Sequence, residues 1–315
     1  MSMSGSSSRR LLSQLVYRSS RIQPVVPQTP RRLGVTIALL VAAGGCAWTV
    51  QAFPEYDISR HLRTRWIAQA DAAALPNPTK GKGNAETRAD PETSVSFPLY
   101  LKLSTPTPDL ALVGLGVRKV SFLRVKVYSV GFYLEDRVLQ HLDDIPGWQS
   151  FTAQHLLTPP TTNPSDPLGA PQLSGEALMR TLLEAGTACA VRIVPVRNTD
   201  FSHLRDSFTR ALLARQKIAR AKSEITEEDE ARIAESLQTF KSLFPSQSLP
   251  KGESLVLIRT TDGSLHVESG GRLLGSVRDA WVAREMMLAY FADKDIISPV
   301  LKEDVAKGLE QYNRK

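Results

Sequence analysis

The stretch from Gly114 to Asp136, GLGVRKVSFLRVKVYSVGFYLED, constrains the fold more than any other part of this 315-residue chain. Two glycines precede a lone arginine, and a run of β-branched and aromatic residues follows until Gly131, a pattern that predicts a glycine loop feeding a long strand. Arg118 then stands at the junction of loop and strand. Successive side chains of a strand point to opposite faces, so Arg124, Lys126 and Tyr128 are expected on one face and Val125 and Val127 on the other. So polar a face is either an edge whose cations are solvated or a surface turned toward a ligand.

Charge separates the chain into two parts. The basic residues before Phe53 are all arginines (Arg9, Arg10, Arg18, Arg21, Arg31 and Arg32), and the first acid is Glu55. Taking these 6 from the 39 basic residues leaves 33 against 32 acidic ones. The remainder is near neutral, so the basic pI belongs to the leader and gives no support to a nucleic-acid surface. Residues 1–32, rich in serine and arginine and free of acids, have the composition of a mitochondrial presequence; a disordered basic tail is the alternative. Leu33 to Val50 is an uncharged run of 18 residues, and residues 33–53 are expected to form a single transmembrane helix, with the arginine-rich side in the matrix. A secretory signal peptide competes, but its n-region would be too long and no clean small-residue cleavage site follows. The reading is a single-pass inner-membrane protein whose domain faces the intermembrane space.

Residues 54–93, charged and then rich in Pro, Gly and Lys, read as a stalk, with the domain occupying residues 94–315. FPLYLKL predicts a strand leading through STPTPD into the glycine loop. Residues 143–175 carry 5 prolines between Pro159 and Pro171 and read as a long surface insertion. Gly175 to Ala185 has helical spacing, and Ala190 to Val196 reads as a buried strand. A helix capped by Thr199 or Asp200 turns Leu204, Phe208, Ala211 and Leu212 inward and His203, Ser207 and Arg210 elsewhere. A second helix starts at Thr226 and buries Ile233, Leu237, Phe240 and Leu243 before Pro245. Asp262-Gly263 signals a two-residue hairpin, with Gly270-Gly271 as a bulge or second turn. DAWVAREMMLAYF, apolar nearly all round, predicts a buried helix, and Ser298-Pro299 caps a last one through Leu309. This order argues for an α+β fold, a mainly antiparallel sheet with helices over one face.

The run GxGxRxxxFxxxKVYxVGFYLED resembles the first core strands of the chalcone isomerase superfamily. RNTDFSHLRDSFTRAL and YFADKDIISPVLK resemble its helix and C-terminal segment, in the same order. With the N-terminal extension, the chain is most similar to the superfamily's fungal mitochondrial group, and residues 143–175 resemble that group's extra loop. The resemblance implies an open-faced β-sandwich, and it implies that Arg118 is the arginine with which the enzymes stabilise negative charge. Tyr128 stands where they have a threonine, Phe201 and Phe208 near their helical tyrosine and asparagine, and Tyr290 where they have a small hydroxyl residue. Two phenylalanines cannot fix a substrate hydroxyl or an attacking water, so the expectation is binding rather than isomerisation, a residual isomerase (an intramolecular lyase) being the alternative.

The expected ligand is a small hydrophobic carboxylate held by Arg118, Lys126, Tyr128, Phe201, Phe208 and Tyr290. The resemblance implies haem b as the favoured ligand and a fatty acid as the alternative. An iron ligand must come from His61, His141, His155, His203, His266, Met286, Met287 or a tyrosine, and His203 is the first choice. Other chemistry finds little footing. The two cysteines, Cys46 and Cys189, form no disulfide framework or zinc motif, and no CxxCH, GxSxG or phosphate loop occurs.

Overall fold

The computed structural model describes residues 86–120, 124–159 and 173–314. The expected presequence and the transmembrane segment 33–53 lie outside these residues; among the described residues no helix is long and apolar enough to cross a membrane. The centre of the domain is a sheet of 7 antiparallel strands. Its strands are β3 (Tyr100–Leu101), β4 (Leu110–Val120), β5 (Val125–Glu135), β6 (Cys189–Pro195), β9 (Leu255–Arg259), β10 (Leu265–Ser269) and β11 (Arg272–Val277). Their spatial order is β11-β10-β9-β6-β5-β4-β3. Two small ladders accompany it, β1 (Thr87–Ala89) with β2 (Ser96–Pro98) and β7 (Thr199–Asp200) with β8 (Ser248–Leu249). The helices are α1 (Asp136–Leu139), α2 (Ala153–Leu157), α3 (Glu176–Glu184), α4 (Phe201–Ala221), α5 (Glu227–Ser242), α6 (Ala280–Leu288) and α7 (Pro299–Asn313).

Period-two alternation divides the sheet into two apolar faces. Val130, Phe132 and Leu134 of β5, Val191 and Ile193 of β6, and Leu255 and Leu257 of β9 meet the helices. Tyr133, Ala190, Val194, Val256 and Ile258 point the other way and are covered by the extended segment carrying Val95, Phe97, Leu99, Leu101 and Leu103. Gly131 makes room for Phe97, whose ring lies 2.9 Å from where a Cβ would stand. Glu268 anchors the end of that segment by accepting the backbone N–H groups of Thr105 and Ser104, at 2.6 and 3.2 Å. The domain also begins earlier than expected: Arg88 of β1 bonds Asp304 of α7, so the reading of residues 54–93 as stalk is corrected at its C-terminal end.

Gly114 and Gly116 were expected in a loop and instead lie in the middle of β4. Both a loop and a close approach call for glycine, and here the approach is that of α7. A Cβ on Gly116 would stand 2.4 Å from the Leu301 nitrogen, and one on Gly114 2.6 Å from that of Val305. Because β3 pairs only with Leu110 and Ala111, most of the outer edge of β4 has no strand partner among the described residues, and α7 closes it. The Leu115 N–H donates to Asp304 at 2.7 Å, and the Ser298 hydroxyl donates to the Val117 carbonyl at 3.0 Å.

Two further expectations are corrected. The true two-residue turn is Gly270-Gly271, between Ser269 and Arg272, with φ of 56° and 73°; Asp262-Gly263 sits in a wider loop closed by Thr260 and Ser264. The insertion is narrower than residues 143–175, because Ile145, Trp148, Phe151 and Leu156 are buried in the helix-side core. The α3, α4 and α6 helices are tied by buried charges. Arg215 binds both Glu285 (2.5 Å) and Glu176, and Arg180 reaches the same two carboxylates at 3.1 Å.

Candidate functional site

The site is built on the β4–β5 ladder, where Arg118 is paired with Tyr128 and Lys119 with Lys126. Val127 is left over between these pairs, which makes a β-bulge and reverses the alternation beyond it. Lys126 is therefore not on the face of Tyr128, as strict alternation predicted. Its ammonium donates to the Glu92 backbone carbonyl at 2.8 Å and lies 3.5 Å from the Glu92 carboxylate, which Lys119 also binds at 2.8 Å. The two lysines and Glu92 form an ion cluster on the opposite side of the sheet from the helices.

On the helix side Arg118, Tyr128 and Tyr290 come together. One Arg118 guanidinium nitrogen donates to the Ile297 carbonyl. The Tyr128 and Tyr290 hydroxyls are 3.4 Å apart, at the long end of hydrogen bonding. Both rings are buried, and burial pushes both phenols up. The nearby Arg118 charge pulls the other way without overcoming that effect, so both groups stay protonated and able to donate. The sheet supplies Arg118 and Tyr128; the connection between α6 and α7 supplies Tyr290 and the Ile297 carbonyl. Sequence reasoning found the first three but not the carbonyl, which no side-chain pattern announces.

Phe201 and Phe208 share the helix-side core with Tyr128 and Tyr290. Both are buried on the core side of α4, Phe208 against Phe244 with ring centroids 6.2 Å apart. His203 faces solvent: its side chain is 76% exposed, and its Nδ1 is 3.9 Å from Asp200. Met286 and Met287 are fully buried in α6. Among the described residues no group of three His, Cys, Asp or Glu side chains is placed to hold a metal ion. Cys189 is buried, and burial pushes its thiol up to about 12, which silences it as a nucleophile.

A curled antiparallel sheet backed by helices, with a guanidinium and two phenols converging between the layers, is an α+β architecture. The chain belongs to the chalcone isomerase-like family, whose profile matches residues 108–306. Its curated relatives include "Altered inheritance of mitochondria protein 18, mitochondrial" from Lachancea thermotolerans, 26% identical over 72% of this chain and 76% of the relative. The protein of the same name from Debaryomyces hansenii is 29% identical over 69% of this chain and 73% of its own length. Among solved structures, the crystal structure of an Arabidopsis thaliana fatty-acid binding protein matches with a TM-score of 0.54 and 22% identity, covering 73% of this chain and 100% of that one.

Proposed function

We propose that the protein is a non-catalytic member of its family that binds a long-chain fatty acid or a similar apolar carboxylate, with Arg118 as the anchor. The observation that carries this reading is the convergence of Arg118 with two protonated phenols, a set of donors with no carboxylate among their hydrogen-bond partners in the described residues. Such a set favours an anion, and a guanidinium suits the two oxygens of a carboxylate. The Arabidopsis structural neighbour is called a fatty-acid binding protein, which is consistent with this ligand class. Haem, the ligand favoured from the sequence, asks in addition for an iron ligand. His203 points to solvent, and Tyr128 and Tyr290 are held as phenols, whereas iron takes a phenolate.

The test is displacement of a fluorescent fatty-acid analogue by dodecanoate from the full-length chain in lipid nanodiscs, with empty nanodiscs as the blank. Saturable 1:1 displacement that Arg118→Ala weakens supports the reading; chalcone turnover above buffer overturns it. Parallel addition of haem gives the spectrum of merely dissolved haem on this reading, and a spectrum changed by His203→Ala restores the haem alternative.

The relatives carry "mitochondrial" in their names, and we extend this to residues 1–53 as the import and anchoring segment, with the domain in the intermembrane space. A chain lacking them is expected in the carbonate-soluble fraction; retention in the pellet contradicts the anchor. Protease access to the domain after rupture of the outer membrane but not before is the expected sidedness, and protection in both states places it in the matrix.

A further inference from the structure

We infer that the outer face of α4, from Arg210 to Ala221, is a docking surface for a lipid bilayer that carries anionic head groups. The inference is separate from the ligand reading; it uses the reading of residues 33–53 as an anchor only for the nearness of a membrane.

The sequence of α4 builds two faces at helical spacing. Phe201, Leu204, Phe208, Leu212, Arg215 and Ala219 are buried against the core. Arg210, Leu213, Ala214, Lys217, Ile218 and Ala221 follow one another at intervals of three and one, which lines them along the opposite side, and all six are exposed. Such a face is ordinarily charged and solvated. Here Leu213 is 48% and Ile218 53% exposed. The other exposed large hydrophobic residues among those described, Tyr100, Val120 and Leu273, stand singly on three different strands, so α4 alone carries two on one face.

The charge of this face is one-sided as well. The only carboxylate in α4 is that of Asp206, which accepts from Arg205 at 2.8 Å. Arg215 and Arg220 are taken by Glu176, Glu285 and Glu230. Arg210 donates to the Ser207 hydroxyl at 3.1 Å, and neither it nor Lys217 forms an ion pair among the described residues. Two uncommitted cations thus accompany two exposed aliphatic side chains. Their stems can lie along the aliphatic groups while the charged ends reach phosphates, as cationic side chains do at a membrane interface.

An acidic protein surface would answer the charge but not the aliphatic pair. A second copy offers such a surface on its α5, which exposes Glu227, Glu228 and Glu235 but no large hydrophobic residue. A bilayer answers both, with head-group charge at its surface and acyl chains beneath. Weak attachment suffices. Residues 54–85 join the domain to the anchor and span at most about 110 Å, which keeps the bilayer at an effective concentration of roughly millimolar.

The experiment places the full-length chain in nanodiscs of phosphatidylcholine alone or with phosphatidylglycerol. With Cys46→Ser in place and Cys189 buried, Ala214→Cys carries a spin label. Its accessibility to oxygen, which partitions into lipid, is compared with that to a water-soluble nickel chelate. The label is expected to read lipid in the anionic discs and water in the neutral ones. A label at Ala234→Cys, on the exposed side of α5, is expected to read water in both. Each cation near an anionic surface is worth roughly fivefold, so Arg210→Glu with Lys217→Glu should lower the docked-to-free ratio by at least about thirtyfold. Salt at about 1 M, where the Debye length is about 3 Å, should release the face too. Leu213→Ser with Ile218→Ser is expected to return the label to water, which attraction by charge alone does not require. A label in water in both discs, one in lipid in both, or a lipid signal that survives either double variant overturns the inference. So does a label shielded from both oxygen and nickel, which would mean that a second copy covers the face. The anchor is judged separately. Retention of the chain by neutral discs, with the Ala214 label in water throughout, keeps the anchor and removes the docking; retention by anionic discs alone, with the label in lipid, does the reverse; retention by neither removes both.

Discussion

On the proposed reading Arg118, Tyr128 and Tyr290 would act on a ligand through charge and donated hydrogens, and each contribution is separately measurable. Arg118→Ala is expected to weaken dodecanoate binding by about 1.5–3 kcal/mol, the worth of a hydrogen bond to a charged group, and Arg118→Lys to restore part of it because the planar fork is lost. Equal affinity of wild type and Arg118→Ala in the displacement assay contradicts this. Burial keeps both phenols protonated beyond the ordinary tyrosine range, so affinity should be level from about pH 6 to 9 and fall only below that, as the ligand's own carboxyl takes up a proton. A drop in affinity between pH 7 and 9 would mean that one of the tyrosines ionises in the site. The three residues were legible because the motif and its strand parity surround Arg118 and Tyr128, and because Tyr290 stood out as bulky at a place where enzymes of the superfamily are small. Lys126 was misplaced because the bulge at Val127 adds one residue to one strand, and a period of two carries no mark of such an addition.

At the scale of elements, α7 depends on having no side chain beneath it. Gly116→Ala places a methyl 2.4 Å from the Leu301 backbone nitrogen, which cannot rotate away as a side-chain end can, so the helix must lift. The expected loss is at least about 1–3 kcal/mol, the usual range for overpacking, read as a lowered urea midpoint. An unchanged midpoint would mean that α7 shifts freely on β4. Asp304→Ala should cost about 1–3 kcal/mol by the same measurement, since the Leu115 N–H loses its acceptor. Helix positions and caps were readable, including Thr226 and Ser298 with Pro299, because capping is local chemistry. The seat for α7 was not, since glycine looks the same whether it serves a turn or a neighbour. Trp148 and Phe151 were likewise hidden by the prolines that follow them, although two aromatics within four residues are a sign of core.

Across the whole molecule, stability should follow the carboxylates that hold distant segments together. Burial alone would raise Glu176, but Arg215 and Arg180 overcome it and hold its carboxyl below the usual range. Burial would raise Glu268 as well, but the hydrogen bonds from Thr105 and Ser104 overcome it and hold its carboxyl below the usual range. A depressed folded-state pKa gives stability that is present above the unfolded value, about 4.5, and lost as pH falls through the folded one. The urea midpoint should therefore be level from about pH 7 to 5 and decline below about 4.5, and Glu176→Gln should show a shallower decline; an identical slope in that variant would remove Glu176 from the acid response. Arg215→Met alone should cost about 3–5 kcal/mol, because it leaves Glu285 buried and missing one of its cations. The closure of β4 by α7 also has a consequence in time. Leu115 and Asp304 are 189 positions apart, so a chain emerging N-terminus first leaves that strand edge uncovered for about 10–40 s at roughly 5–20 residues per second. During that interval the nascent strand edge is an open template for pairing with neighbouring chains.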